Sequence, residues 1–424
     1  MHVLLAMHDV SGVGGTERSL EILRAGLAAR GHRVTLLHGG PARGGSAEEL
    51  VLASLSDDAP FFNDAVYRSE RRELMAYCRE ESVDLAHVHG FLRPAALRQL
   101  QRACPVVLSL HTQTCPNGAR YQWATQRACE RPIGIGCFTK GYTTFGCGHL
   151  GNGEPYGLPG FARGAARARQ RLRSAARSAA LIVPSAYLRD RLGKDGVPTE
   201  HISVVHPPVA WAFAAVPLPA APPAVDRRAT SRLPLVTFAG RLVSPKGPEV
   251  AVRASAAVAT PHVLAIAGEG TLRGRLEALA EELGLAERVL FLGALDHQEL
   301  SALFRRSAVV VAPSLMPETF GLVGPEAVAA GVPAVVTGAG GAPEWIALAG
   351  DMVRQVPRGD VLALAHAVEH FLTAPRSDSQ ATAVRELLSS DVHVEKTLEA
   401  YARAAQNWPL RTDLGVDIAV ARQP

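Results

Sequence analysis

Glu318 and Glu326 stand eight positions apart in the run Glu318-Thr319-Phe320-Gly321-Leu322-Val323-Gly324-Pro325-Glu326, which follows the apolar stretch Val309 to Pro313 and closes against Gly331. A strand, a loop and a helix are the expected elements, with Glu318 in the loop and Glu326 in the first turns of the helix. Both carboxylates then face the cleft above the strand's carboxyl end, where open α/β sheets bind ligands. A carboxylate that accepts from vicinal hydroxyls binds a sugar or ribose ring directionally. Beside Phe320, a backbone N–H near Gly321 or Leu322 can hold a phosphate oxygen.

A second group is cationic. Gly240-Arg241-Leu242-Val243-Ser244-Pro245-Lys246-Gly247 follows an apolar run and sets two cations five positions apart on a turn with glycine at each end. Arginine offers a planar fork and lysine a point charge, a pair suited to a departing diphosphate without a bound metal. The alternative is a surface turn with two solvated cations. Gly14 and Gly15 follow the first apolar run and open a helix, so their N–H groups can approach a diphosphate or a substrate. A purely structural turn is the other reading there, since the full G-x-G-x-x-G spacing is missing. Gly268, in Gly268-Glu269-Gly270, ends another strand at the same edge, where a small residue admits a base or ribose. His87 and His89 also end a strand and read as structural.

These residues must be positioned by alternating strands and helices. Short apolar runs at His2 to Met7, Val34 to Leu37, Asp84 to Val88, Val106 to Leu110, Leu181 to Ser185 and Ile202 to Val205 alternate with helical stretches, the first from about Thr16 to Arg30. Such runs suit parallel strands covered on both faces. After a stretch rich in proline and alanine, the pattern resumes at Leu235 to Ala239, Val263 to Ala267, Val289 to Leu292, Val309 to Ala312 and Ala334 to Thr337. Asp296 with Glu299 gives a capping-box signature for a helix starting at His297. The expected division is an N-terminal unit over 1–212, a linker over 213–232, a C-terminal unit over 233–395, and a closing helix, roughly Val394 to Ala405, with tail over 396–424. A chain of 424 residues is long enough for two cores. With 44 basic and 40 acidic residues the net charge is only +4, which argues against a dedicated nucleic-acid binder. No apolar run approaches the roughly 20 residues of a membrane span, and the opening reads as a strand, so a cytoplasmic protein is expected.

Taken together, the E-x7-E spacing of Glu318 and Glu326, the G-R-x4-K-G pattern around Arg241 and Lys246, and Gly14-Gly15 in the first loop resemble the retaining family 4 glycosyltransferases over nearly the whole chain. The resemblance implies a GT-B fold, an α/β architecture of two Rossmann-like doubly wound domains facing each other across a cleft. It implies a donor that is a nucleoside diphosphate sugar of UDP or GDP type, transferred with retention to a hydroxyl of a small-molecule or glycolipid acceptor in secondary-metabolite or cell-envelope biosynthesis. By the same resemblance, Arg241 and Lys246 hold the diphosphate, Glu326 the ribose and Glu318 the sugar hydroxyls. Gly15 approaches the phosphate or acceptor, and His111 lies near the reaction centre. No catalytic metal is needed. Two alternatives stand: a catalytically silent nucleotide-sugar binder, which the intact set of charged motifs disfavours, and an enzyme of the same fold that couples a pseudo-sugar.

The chain departs from the simplest family pattern directly after His111, in an insertion over about 112–150. Cys115, Cys129, Cys137 and Cys147 fall there with spacing C-x13-C-x7-C-x9-C. A structural tetrathiolate zinc would order a loop lacking its own core. Unligated or redox-labile thiols, an iron–sulfur cluster or disulfides are the alternatives. Arg120, Tyr121, Gln122, Trp123 and Lys140 of the same insertion read equally as acceptor contacts or as surface packing. Cys78 and Cys104 read as ordinary buried cysteines. Arg163, Arg167, Arg169, Arg171, Arg173 and Arg177 line a helix whose other face carries Phe161, Leu172 and alanines. That face is too thin for firm insertion into a membrane surface, so a solvated helix is expected.

Overall fold

A computed structural model of the chain describes residues 1–7, 15–39, 49–52, 64–116 except 91 and 93, 120–147 except 123 and 126, 157–209, 233–373 and 380–408. Gly14, Trp123 and the expected linker over 213–232 lie outside these described residues.

The N-terminal unit carries β1 (His2–Met7), α1 (Gly15–Ala29), β2 (Arg33–His38), β3 (Glu49–Val51), α2 (Asp64–Glu80), β4 (Leu85–His89), α3 (Pro94–Ala103) and β5 (Val106–Ser109). An insertion follows with the two-residue strands β6 (Tyr121–Gln122) and β7 (Arg127–Ala128). The unit closes with α4 (Gly157–Ala176), β8 (Ala180–Val183), α5 (Ala186–Lys194) and β9 (Ile202–Val204). Seven of these strands form one parallel sheet in the order β3-β2-β1-β4-β5-β8-β9. Every residue of β1, β4, β5 and β8 is buried, as strands covered by helices on both faces require, and the polar His2, His87, His89 and Ser109 are buried with them. On α4 the buried residues are Phe161, Ala165, Ala168, Leu172 and Ala175, and the arginines point to solvent.

The C-terminal unit runs through β10 (Leu235–Ala239), α6 (Pro248–Ala257), β11 (Val263–Ala267), α7 (Arg273–Glu282), β12 (Val289–Gly293), α8 (His297–Arg306), β13 (Val309–Ala312), α9 (Val323–Ala329), β14 (Ala334–Val336), α10 (Pro343–Ala349), β15 (Val353–Gln355) and α11 (Val361–Thr373). Its sheet is again parallel, in the order β12-β11-β10-β13-β14-β15. Helix α8 starts with the expected capping box: Asp296 accepts from the N–H groups of Gln298 and Glu299, and Glu299 accepts from the N–H of Asp296.

Two last helices, α12 (Ala381–Leu387) and α13 (Ser390–Asn407), take different sides. Helix α12 packs on α9 and α10 of the second unit, whereas α13 crosses back to pack on α1, β5 and β8 of the first. Ser389 caps α13, its hydroxyl accepting from the Val392 N–H at 3.3 Å. The helix therefore starts before Val394, where apolar periodicity alone placed it. The molecule has the GT-B fold: two parallel-sheet Rossmann-like units with helices on both faces. Among the described residues no helix is long and apolar enough to cross a membrane.

Candidate active site in the interdomain cleft

In each sheet, the first strand is flanked by neighbours whose connections run in opposite directions: β2 and β4 beside β1, β11 and β13 beside β10. The carboxyl ends of such strands open a crevice. Gly15 follows β1 and His111 follows β5 in one unit, while Arg241 and Lys246 follow β10 and Glu318 follows β13 in the other. A cavity of about 430 Å³ is lined by all five, together with Phe320, Gly321 and Leu322. Sequence positions separated by up to three hundred residues thus share one cleft because both crevices face it.

The turn that carries the cations is shaped by backbone. Gly247 has φ 71°, and a Cβ there would stand 2.1 Å from the Pro313 carbonyl oxygen. Only glycine fits. The turn lays Lys246 against the carboxylate of the cleft: its Nζ donates to Glu318 Oε1 at 2.7 Å, and Ser314 Oγ donates to the same oxygen. Burial pushes the Glu318 carboxyl up, but the charge and hydrogen bond of Lys246, with Ser314 and the charge of Arg241, outweigh it and hold the group below its ordinary value. Glu318 is therefore ionised at neutral pH, as an acceptor for sugar hydroxyls must be. Arg241 is exposed at the cavity wall.

His111 reaches the cleft from a buried histidine group. Its Nε2 pairs with His89 Nδ1 at 3.2 Å, while His87 bonds Tyr401 of α13 and Ser109, each at 2.7 Å. Burial, then the proximity of His393, pushes His111 down to about 4, so its ring is neutral at physiological pH. His87 and His89 are buried and hydrogen-bonded, the structural placement expected of them.

The two units are stitched beside this cavity by contacts that motif spacing does not reveal. Thr319 Oγ1 donates to the His111 carbonyl at 2.9 Å, Gln113 Nε2 to the Pro317 carbonyl at 2.5 Å, and Ser185 Oγ to the Thr319 carbonyl at 2.5 Å. Glu344 accepts from the N–H groups of Ala186 and Tyr187 at the start of α5, at 3.1 and 3.2 Å. Gly15 lies so close to the second unit that a Cβ would come within 2.8 Å of Leu322 Cδ1.

Two expected site residues lie outside the residues lining this cavity. Gly268 directly follows β11, and a Cβ there would stand 1.9 Å from the Gly240 carbonyl oxygen. Its smallness lets two backbones pass closely, a structural use of the glycine that stands beside the ligand contact expected from the sequence. Glu326 sits in the first turn of α9, only 8% exposed, and burial pushes its carboxyl up to about 8.

Next to His111, the insertion brings its four cysteines around a separate cavity of about 30 Å³. All six cysteines of the chain are thiols outside disulfides. Cys147 is pushed up to about 12 by burial and then by the charges of Cys129, Cys115 and Cys137, so the four lie within electrostatic reach of each other. Among the described residues no group of three or more His, Cys, Asp or Glu side chains stands as a ready metal centre. The thiols line the cavity without meeting at one point. Arg120 of this insertion is buried: it pairs with Asp195 and donates to the Thr114 carbonyl at 3.0 Å. It anchors the insertion to the end of α5. Tyr121 and Gln122 are likewise buried, in β6, while Lys140 is exposed.

Comparison with known proteins follows this division. The family described as Glycosyltransferase Family 4 matches residues 13–210, and that described as Glycosyl transferases group 1 matches residues 226–407. A glycogen synthase of Mycobacterium tuberculosis is 38% identical over 170 residues, 39% of this chain and 41% of that one. A D-inositol 3-phosphate glycosyltransferase of Mycobacterium sp. is 33% identical over 181 residues, 41% of this chain and 40% of that one. The chain thus spans about two fifths of the length of these curated relatives. The solved structure of Anabaena Alr3699/HepE in complex with UDP and glucose superposes with TM-score 0.68 at 16% identity, covering 95% of this chain and 99% of that one, a likeness of fold. One glycosyltransferase family model thus matches each half of the chain, on a GT-B fold shared with solved glycosyltransferase structures.

Proposed function

We propose that the protein transfers a glycosyl group from a nucleoside diphosphate sugar to an acceptor hydroxyl, with retention at the anomeric carbon. The observation that carries this reading is the cavity between the units, where two cations, an ionised carboxylate and a neutral histidine converge. Both curated relatives are named as enzymes of sugar transfer, and HepE is named as binding UDP and glucose, which supports a nucleotide-sugar donor.

The chemistry follows from where charge develops. As the bond from the anomeric carbon to the diphosphate breaks, negative charge grows on the departing oxygens, and Arg241 with Lys246 stabilises it. Lys246 already stands against Glu318, so the same lysine links leaving group and sugar. The acceptor hydroxyl attacks from the face the diphosphate leaves, forming the new C–O bond, and a phosphate oxygen takes its proton. That sequence needs no side-chain nucleophile, and Glu318 serves as a hydrogen-bond acceptor. Neutral His111 donates or accepts a hydrogen bond at the reacting sugar without adding a cation. The expected acceptor side is the first unit, with the insertion beside His111 forming part of its wall.

The test is a panel of UDP- and GDP-sugars incubated with the protein, following thermal stabilisation and slow hydrolysis of the donor by mass spectrometry, with the anomeric configuration of the product read by NMR. One donor is expected to stabilise the protein and be hydrolysed, and Lys246→Ala is expected to lower turnover roughly a hundredfold with the fold intact. Wild-type kinetics in Lys246→Ala would remove the lysine from the site. Stabilisation by a donor without hydrolysis or transfer to any acceptor would favour a silent binder.

A further inference from the structure

We infer that Cys115, Cys129, Cys137 and Cys147 bind one zinc ion as a tetrathiolate site that orders the insertion beside His111. The four come from positions spread over 33 residues, yet all line the cavity of about 30 Å³, a space on the scale of one ion or one water.

The backbone assembles them as two pairs. Strands β6 and β7 pair antiparallel, Tyr121 against Ala128 and Gln122 against Arg127. That hairpin sets Arg120 beside Cys129: the Cys129 N–H donates to the Arg120 carbonyl at 2.7 Å, and the Arg120 N–H donates to Cys115 Sγ at 3.2 Å. Cys115 and Cys129 are thus joined through a single residue. Cys137 and Cys147 are joined through Gly141. The Cys147 N–H donates to the Gly141 carbonyl at 2.9 Å, and a Cβ on that glycine would lie 3.7 Å from both Cys147 Sγ and Cys137 Cβ. The two side chains face each other across a residue that has none. All four are half-buried around the same cavity.

The surroundings show what such an ion would do. Over 111–147 the described regular structure is two strands of two residues each and a single five-residue turn, Cys137–Gly141. A segment with so little ladder and core is ordered by crosslinks, and a structural zinc supplies them in one step. Sulfur-only donors select zinc or an iron–sulfur cluster over calcium, magnesium or manganese. The cavity of about 30 Å³ fits one ion better than a cluster of iron and sulfide. Binding exchanges thiol protons for metal and oxidises nothing.

The experiment reads metal and needs no turnover, so it stands apart from the transferase assignment. The full chain, purified without chelator from zinc-supplemented medium, is analysed for zinc, iron and acid-labile sulfide. A second sample is stripped under reducing conditions and titrated with cobalt(II). About one zinc per chain is expected, with a cobalt spectrum showing thiolate charge transfer and the visible bands of a tetrahedral ion. Cys129→Ser and Cys147→Ser are each expected to lose the zinc, while Cys104→Ser keeps it. Because the cobalt spectrum is read on the wild-type chain, the inference stays testable even where a variant fails to fold. Zinc absent together with no tetrahedral thiolate spectrum would overturn it. So would iron with sulfide in place of zinc, or zinc undiminished in both variants.

Discussion

Lys246 and Glu318 form a 2.7 Å ion pair in the cleft, and Glu326 lies buried nearby with burial as the cause of its shift. These carboxylates respond to pH with opposite signs. Glu318 is held below its ordinary value, so its contribution to stability is present above that value and lost as pH falls through its folded value. Glu326 titrates at about 8 instead of 4.5, so the folded chain keeps a proton the unfolded chain releases between those values. Its contribution is full below 4.5 and lost as pH rises through about 8, a change on the order of 5 kcal/mol. Glu326→Gln should therefore match the wild-type melting temperature near pH 4 and exceed it increasingly toward pH 9. Equal pH dependence of the two proteins would show that Glu326 is not buried as a neutral acid. If a donor's ribose hydroxyls draw the ionised form, binding at pH 7 should release a proton, seen by calorimetry in buffers of different ionisation enthalpy.

Elements place these residues through backbone geometry that permits little substitution. The turn from Ser244 to Gly247 turns Lys246 toward Glu318 only because Gly247 takes φ 71° against the Pro313 carbonyl. Gly247→Ala should cost at least about 2 kcal/mol, since it adds a strained φ to a clash with backbone. Urea unfolding would check this, and a cost under half that size would mean the turn relaxes elsewhere. The E-x7-E segment is held likewise: the Trp345 indole N–H donates to the Phe320 carbonyl at 3.0 Å, and Gly324 lies beneath the Trp345 ring. Strand β15 and the hairpin of β6 and β7 carry no signal in the sequence. Val353-Arg354-Gln355 is a short, partly exposed edge without an apolar run, and two-residue strands lie below the length at which alternation can be read.

At the scale of the molecule, the two units are joined by more than their cleft. Helix α13 returns from the second unit to the first, burying Tyr401 at 1% exposure with its hydroxyl on His87 at 2.7 Å. His393 of the same helix donates to the His206 carbonyl at 2.9 Å. Tyr401→Ala should destabilise the chain by about 3–5 kcal/mol through the cavity it leaves. Tyr401→Phe should cost only about 1 kcal/mol through the lost hydrogen bond. Calorimetry of the two variants separates these effects, and similar losses in both would assign the whole cost to the hydrogen bond.

The sequence by itself determined the fold class and picked out the charged residues that line the cleft. Unbroken Val, Leu and Ala runs dictate strands covered on both faces, and glycine-flanked charges must fall at strand ends, where chain reversals occur. It also gave the cap of α8, a purely local device within four residues. Tertiary structure alone decided which strand ends meet. The pairing of Gln113 with Pro317 and of Thr319 with His111 links positions about two hundred residues apart, and no local pattern encodes such a distance. The same holds for Gly268 and Glu326. Motif spacing names both as ligand contacts, and packing adds that one passes close under the Gly240 backbone and that the other is 8% exposed, because neighbours supplied by distant segments decide how much of a side chain is open.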